Sequence, residues 1–519
     1  MIKNKLSYHW ILVVFVVFGA GLLLAQALFN KGKVMSDTLR VAFPRNTSAK
    51  NYEPTRIHLA PEYIFLENTF SPLVELSPED ASIRSGVAEK WEWSNDELHF
   101  FIRDGLKTID GKAITAEDAA FSLKRLLVKT QNTHGNLKDL VCGGADVKSI
   151  EDACEGIAFK GNELILKIAG KSAFILPMLS GIDFAIIPKS SVDPKTLDII
   201  DYRNTSGPYY VSKDSETGNI EFAANPGHYH YSKDIPQKIQ MIPVDPKDKS
   251  GSLQLFKDGQ IDFITTIDSA RSEEVYELGQ ASSGSVFHST ANIRTYSLFF
   301  SERGIKELSR DQRILIGQKI KQSINDFFLK LPGYENTNQF FPQSGDGAID
   351  TALAKQIAER PLPELSLKKI KFWMTIVRVG NQEIYKKQIS AALPFAIVTE
   401  GTTLPAFQEF DTLSDMPHAH ISGPDTGFNE DISLISYSLT AGFFGLSEKE
   451  RQAWLAEYMS KPRKDDRIQM LQKIHEDALR EALLVPLFSG PYTALARSGW
   501  KIHLSKILAN NPLWLITKN

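Results

Sequence analysis

A chain of 519 residues, 42% hydrophobic and 23% charged, is too long for one compact core and too apolar to be disordered, so two or three domains are expected. Its formal net charge of -3, with no basic block and no nucleic-acid motif, argues against a nucleic-acid-binding body. Small molecules or proteins remain as partners.

In chain order, Lys3 and Lys5 precede an uncharged run from Trp10 to Phe29, and Ala25-Gln26-Ala27 offers small residues for a signal peptidase. This reads as an export signal, with an uncleaved anchor as the alternative, since the run is long enough to span a bilayer. Either form puts the body outside the cytoplasm. A first strand follows at Thr38 to Phe43, closed by Pro44, then a helix from Ala60 to Phe70 with Pro61 in its first turn, and a short strand at Leu73 to Leu76. His99-Phe100-Phe101-Ile102 suits a buried strand, and Asp104-Gly105 and Asp110-Gly111 favour tight turns. Thr115 and Asp118 hold capping-box positions for a helix starting near Ala116. Its apolar stripe is Ala119, Ala120, Leu123, Leu126 and Leu127, with Lys124 and Arg125 off the stripe.

Cys142 and Cys154 lie close together in a Gly-rich stretch. In an oxidising compartment such a pair forms a local disulfide; a metal or redox pair would want closer spacing or a nearby histidine. Further on, Ser206 to Val211 and Asn219 to Ala224 read as strands, and Ile239 to Asp245 leads through a helix to Gly259 and a strand ending at Phe263, an α/β unit. From Tyr296-Ser297-Leu298-Phe299-Phe300 the pattern changes to a second lobe. It contains a helix from Arg310 to Phe328, the pair Phe341-Pro342 in a polar, Gly-rich stretch, and a strand at Ile370 to Met374.

Several of these segments, taken in register, resemble the family 5 extracellular solute-binding proteins, the oligopeptide- and dipeptide-binding receptors of ABC importers. The matching points are Leu73-Val74-Glu75-Leu76, Ala88-Glu89-Lys90-Trp91, Arg103-Asp104-Gly105, Asp110-Gly111, Thr115-Ala116-Glu117-Asp118, Gly207-Pro208-Tyr209 and Asn225-Pro226-Gly227-His228-Tyr229. The resemblance implies an α/β, bilobal periplasmic-binding-protein (Venus flytrap) fold with two crossings between lobes and an extra subdomain inserted in the first lobe. The expected parts are residues 1–35 as signal or anchor, 36–72 with 202–292 and 490–519 as the discontinuous first lobe, 73–201 as the inserted subdomain and 293–489 as the second lobe. No cysteine precedes Cys142, so the lipid-attachment cysteine of many Gram-positive members is absent and a periplasm is the expected location.

The resemblance also implies a cleft in which a peptide main chain pairs with protein strands and an acidic residue meets the α-amino group. Candidate ligand-binding residues are Glu62, Phe299, Phe300, Trp373, Asp425, Phe428 and Tyr437. Gly427 stands where the amino-binding aspartate is expected, so Asp425 is the substitute two residues earlier, with a turn beside Pro424 as its plainer role. Glu62 has a plainer role as a helix-dipole partner, and the aromatic residues as core. His418-Ala419-His420 and His228-Tyr229-His230 invite a metal, but neither supplies a third ligand. No Gly-x-Ser-x-Gly elbow, His-Glu-x-x-His, phosphate loop or Gly-x-Gly-x-x-Gly occurs. The expectation is a monomeric, non-catalytic receptor without a cofactor that captures peptides or peptide-like ligands for an ABC permease. The alternatives are a sensor or chaperone-like protein on the same scaffold, or a receptor for a non-peptide solute.

Overall fold

The computed structural model describes residues 37–519 except 45–46, 58–59, 133, 135–136, 169–174, 217–218, 245–250, 266–274, 276, 280–284, 344, 365, 368, 376–378, 402–403, 425–433, 436–437, 440, 462 and 509–511. The export segment lies outside the described residues, among which no helix is long and apolar enough to cross a membrane.

Three larger sheets organise the molecule. The first has seven strands, in the order Val286–Ser289, Thr493–Ala496, Phe263–Thr265, Thr38–Pro44, Lys238–Val244, Ile220–Ala224 and Tyr209–Lys213. Thr38–Pro44 runs parallel to both Lys238–Val244 and Phe263–Thr265, which makes Lys238 to Thr265 the expected strand, helix and strand unit. The helix Gly251–Lys257 ends near Gly259, whose φ of 76° suits glycine. Gly207 has a different reason. A Cβ there would lie 2.3 Å from the Thr69 carbonyl carbon, and only a bare backbone lets Gly207 N–H donate to Thr69 O at 3.0 Å.

A four-stranded antiparallel sheet, Ala88–Ser94, Glu97–Ile102, Glu163–Lys167 and Ile157–Lys160, forms the inserted subdomain with the helix Ala116–Lys129 packed on it. Thr115 and Asp118 make the expected capping box, and the five stripe residues are buried. Arg125 departs from expectation: it is 1% exposed. Its guanidinium donates to both carboxylate oxygens of Glu53 (2.9 and 2.5 Å) and to Leu197 O at 2.8 Å. A second buried face of the helix docks the subdomain on the first lobe through this pair. The Cys142–Cys154 disulfide is present beside the same core.

The six-stranded sheet of the second lobe runs Glu335–Asn336, Leu484–Gly490, Arg294–Phe300, Ala419–Ser422, Lys371–Thr375 and Ile397–Gly401. Both faces are covered. Leu298 and Phe300 enter one core with the helix Arg310–Phe328, while Phe299 enters another with Phe340, Phe443 and Tyr458. Pro486 sits inside a paired strand, which its missing N–H would ordinarily forbid, but the register shifts there by one residue between Tyr296 and Ser297. The loop at Phe341-Pro342 is held by His475, whose Nε2 accepts from Phe340 N at 3.0 Å while Nδ1–H donates to Gly347 O at 2.9 Å. Burial depresses this imidazole to a pKa of about 4.

Candidate functional site

The chain passes from the first sheet to the second between Ser289 and Arg294, and returns between Gly490 and Thr493. These two crossings continue one antiparallel ladder. Val286–Ser289 pairs with Thr493–Ala496 on one side, and Arg294–Phe300 pairs with Leu484–Gly490 on the other. Between them Thr290 N–H donates to Tyr492 O at 2.9 Å, and Tyr492 N–H donates to the Thr290 hydroxyl at 2.8 Å. Tyr492 is 1% exposed. A two-strand connection of this kind permits relative rotation of the lobes about few dihedrals, which is hinge geometry.

The second-lobe sheet meets this hinge with a defined end. Arg294–Phe300 starts there and runs away, whereas Ala419–Ser422 is antiparallel to it and Lys371–Thr375 parallel to Ala419–Ser422, so both finish there. On one face the register sets Leu484, Phe299, His420 and Trp373 in one row. The next row toward the hinge holds Pro486, Ser297 and Ser422, and beyond it Thr295 pairs with Ser489. An apolar core thus gives way to a patch of hydroxyls as the strands approach the crossings. Alternation along Arg-Thr-Tyr-Ser-Leu-Phe-Phe carries this signal, and the sequence reading missed it by starting the strand at Tyr296.

The candidate residues fall in different places. Glu62 is half-buried in the first turn of Ala60–Thr69 in the first lobe; burial raises the nearby Tyr52 phenol, and the charge of Glu62 adds to that shift. Phe299 and Phe300 are 0% and 1% exposed and occupy the two cores on opposite faces of their sheet. Strand alternation makes such a pair point opposite ways. Phe299 stacks on Phe443 at 3.7 Å. Trp373 is 9% exposed, edge-on to Phe410 and closely packed over Gly401. Phe299 and Trp373 therefore share a row on either side of His420. Asp425, Gly427, Phe428 and Tyr437 lie outside the described residues.

The paired histidines take separate structural duties. His418 Nδ1 accepts from Lys371 N at 3.0 Å, and its Nε2 lies 3.1 Å from Glu307. His228 meets the Ser71 hydroxyl at 3.1 Å, while His230 stacks on Trp514 at 3.7 Å and bonds Glu75 at 2.9 Å. Burial pushes the Glu75 carboxyl up, but His230, Tyr229 and Arg84 outweigh it and hold the net value below the ordinary range. No cluster of three or more metal-ligating side chains occurs among the described residues. Two open depressions, of about 530 and 400 Å³, lie elsewhere. One is lined by Ser48, Lys50, Arg203, Asp214 and Glu216, the other by Thr108, Glu117 and Lys189.

Residues 82–315 match the profile of the bacterial extracellular solute-binding proteins, family 5 middle. No curated protein matches the chain by sequence. Among solved structures, Haemophilus influenzae OppA in complex with RPPGFSPFR is 16% identical, with a TM-score of 0.71 over 93% of this chain and 99% of that one. The substrate-binding domain of an oligopeptide ABC transporter from Bacillus anthracis is 15% identical, with a TM-score of 0.73 over 94% and 99%. A substrate-binding protein from Microbacterium hydrocarbonoxydans complexed with 4-hydroxybenzoate hydrazide is 16% identical, with a TM-score of 0.66 over 93% and 100%. With two sheets joined by two crossings, and this similarity running from end to end of its described part, the chain is a bilobal binding-protein fold whose middle segment, residues 82–315, is that of the bacterial extracellular solute-binding proteins of family 5.

Proposed function

We propose that this protein is an exported receptor that captures peptides or peptide-like molecules between its lobes and delivers them to an ABC permease of the inner membrane, acting as a monomer and without doing chemistry on them. The observation that carries this reading is the two-strand hinge at Thr290 and Tyr492 in a fold shared with a peptide-bound OppA. Ligand is held by the closed arrangement, so binding shifts the population toward it and closure reports occupancy to the permease. Strand ends rich in hydroxyls and backbone groups suit a guest gripped through its main chain, which gives affinity with little side-chain preference. The lobe boundaries fall at the crossings, with the first lobe built from residues 36–72, 202–292 and 490–519 and the second from 293–489. Asp425, Phe428 and Tyr437 are the cleft's expected ligand contacts, and Gly427 stands where the family's usual partner for a free peptide amino group is expected.

Native mass spectrometry of protein purified without denaturation tests the reading, and co-purified short peptides are the expected result. A small non-peptide solute retained in their place would favour a second reading, which the hydrazide complex of the Microbacterium protein supports. Replacement of Asp425→Ala followed by calorimetry with a short peptide is expected to weaken binding. An unchanged affinity removes Asp425 from the cleft.

A further inference from the structure

On the face of the second-lobe sheet that runs toward the hinge, two buried side chains have hydrogen-bonding atoms without partners. His420 is 4% exposed, and neither ring nitrogen is bonded. Ser297 has no exposed surface, and its hydroxyl is likewise unbonded. Because Ser297 pairs with Ser422 and Phe299 with His420, the two are diagonal neighbours on one face, roughly 7 Å apart between backbones.

Leaving such groups unmet in a dry interior costs about 1–3 kcal/mol each, and packing does not require them. The His420 ring lies 5.5 Å from both Phe299 and Phe443, where a phenylalanine would extend the aromatic stack. Two other buried imidazoles, His475 and His228, use both ring nitrogens. His420 uses neither, and it lies one row in from the hydroxyl patch at the hinge end of the sheet.

We propose that Ser297 and His420 form a neutral polar pocket that takes a carboxamide group of the captured molecule. A neutral imidazole offers one N–H and one lone pair, and a hydroxyl offers both roles, which complements the carbonyl and N–H of an amide. An ammonium or carboxylate would need a counter-charge, and among the described residues those sharing this face, Thr295, Phe299, Trp373, Ser422 and Pro486, carry none. Burial keeps the imidazole uncharged, with a pKa lowered to about 3. The inference rests on the receptor reading above and narrows it to guests with amide groups placed for the second lobe.

The test uses the full chain and acetamide as a probe, observing the ¹⁵N resonances of the His420 ring, which are identified by their loss in His420→Phe. Saturable perturbation in the wild type, weakened at least about fivefold in Ser297→Ala, is expected. Silent ring nitrogens would overturn the pocket. Calorimetry with pentaalanine is the second measurement. His420→Phe should melt higher than the wild type yet bind the peptide about tenfold more weakly, with partial recovery in His420→Asn. If His420→Phe binds as the wild type does, the ring is a core misfit and the proposal fails. A wild type that responds to acetamide but ignores pentaalanine would sink the peptide reading and leave the pocket standing.

Discussion

The seam between the first lobe and its inserted subdomain and the hinge end of the second-lobe sheet both bury polar groups, and they treat them in opposite ways. In the seam the charged groups are paired, although Asn204 Oδ1, Arg84 Nε and the Thr108 hydroxyl are left without partners. Arg125 is shared between the Glu53 carboxylate and Leu197 O, Asn204 donates to Asp110 at 2.8 Å, and Glu75 collects His230, Tyr229 and Arg84. At the sheet end Ser297 and His420 are unanswered. A satisfied network fixes one arrangement of its parts. An unsatisfied one is a poor way to stabilise a fold and a reasonable way to hold a place for something else.

That contrast can be broken at its strong side first. Arg125→Met leaves Glu53 buried without its counter-charge and should cost about 3–5 kcal/mol, read as a large fall in the denaturation midpoint. Adding Glu53→Leu to it should restore most of the loss, because the penalty lies in the orphaned charge. If the single variant is neutral, the seam is not held by this pair.

The next largest effect is acid sensitivity. His475 and His420 have folded pKa values of about 4 and about 3, below the unfolded value of about 6.5. The unfolded chain therefore binds protons that the folded one refuses. Stability is full above about pH 6.5, falls as the pH drops below it, and continues to fall toward pH 4, by on the order of 3 kcal/mol for each histidine. Melting followed from pH 7.5 to 4.5 should show this slope, and His420→Phe should flatten it. An identical slope in the variant would mean that His420 is not buried neutral.

Smaller effects sharpen the picture. Replacing both Cys142 and Cys154 by serine opens a short local loop and should cost about 2–3 kcal/mol, confined to the subdomain as seen by hydrogen exchange. Met459, on the helix Glu448–Ser460, packs against both the subdomain core and one second-lobe core. Met459→Ala should cost about 1 kcal/mol in stability and favour the more open arrangement, measured as a larger radius of gyration by small-angle scattering of ligand-free protein. An unchanged profile would deny the contact any part in lobe closure.

Much of the fold was legible along the chain. The capping box at Thr115 and Asp118, the turns at Gly105 and Gly111, the helix Arg310–Phe328 and the strand-helix-strand unit ending at Phe263 all follow from signals spanning a few residues. Arg125 was misjudged because helical periodicity reports one buried face, and this helix has a second face against the first lobe. Phe299 and Phe300 could be recognised as a strand pair, yet the burial of both depended on two cores on opposite faces, one with the helix Arg310–Phe328 and one with Phe443 and Tyr458 more than a hundred residues on.

The sequence by itself determined the elements and their order, because capping, alternation and turn chemistry act between near neighbours, while the lobe-crossing pattern was expected only from the family resemblance. Tertiary structure alone decided that Ser297 and His420 meet on one unpartnered face and that Glu53 neutralises Arg125. Those pairings join residues more than seventy positions apart, and whether a buried polar atom is satisfied depends on what the completed fold places beside it.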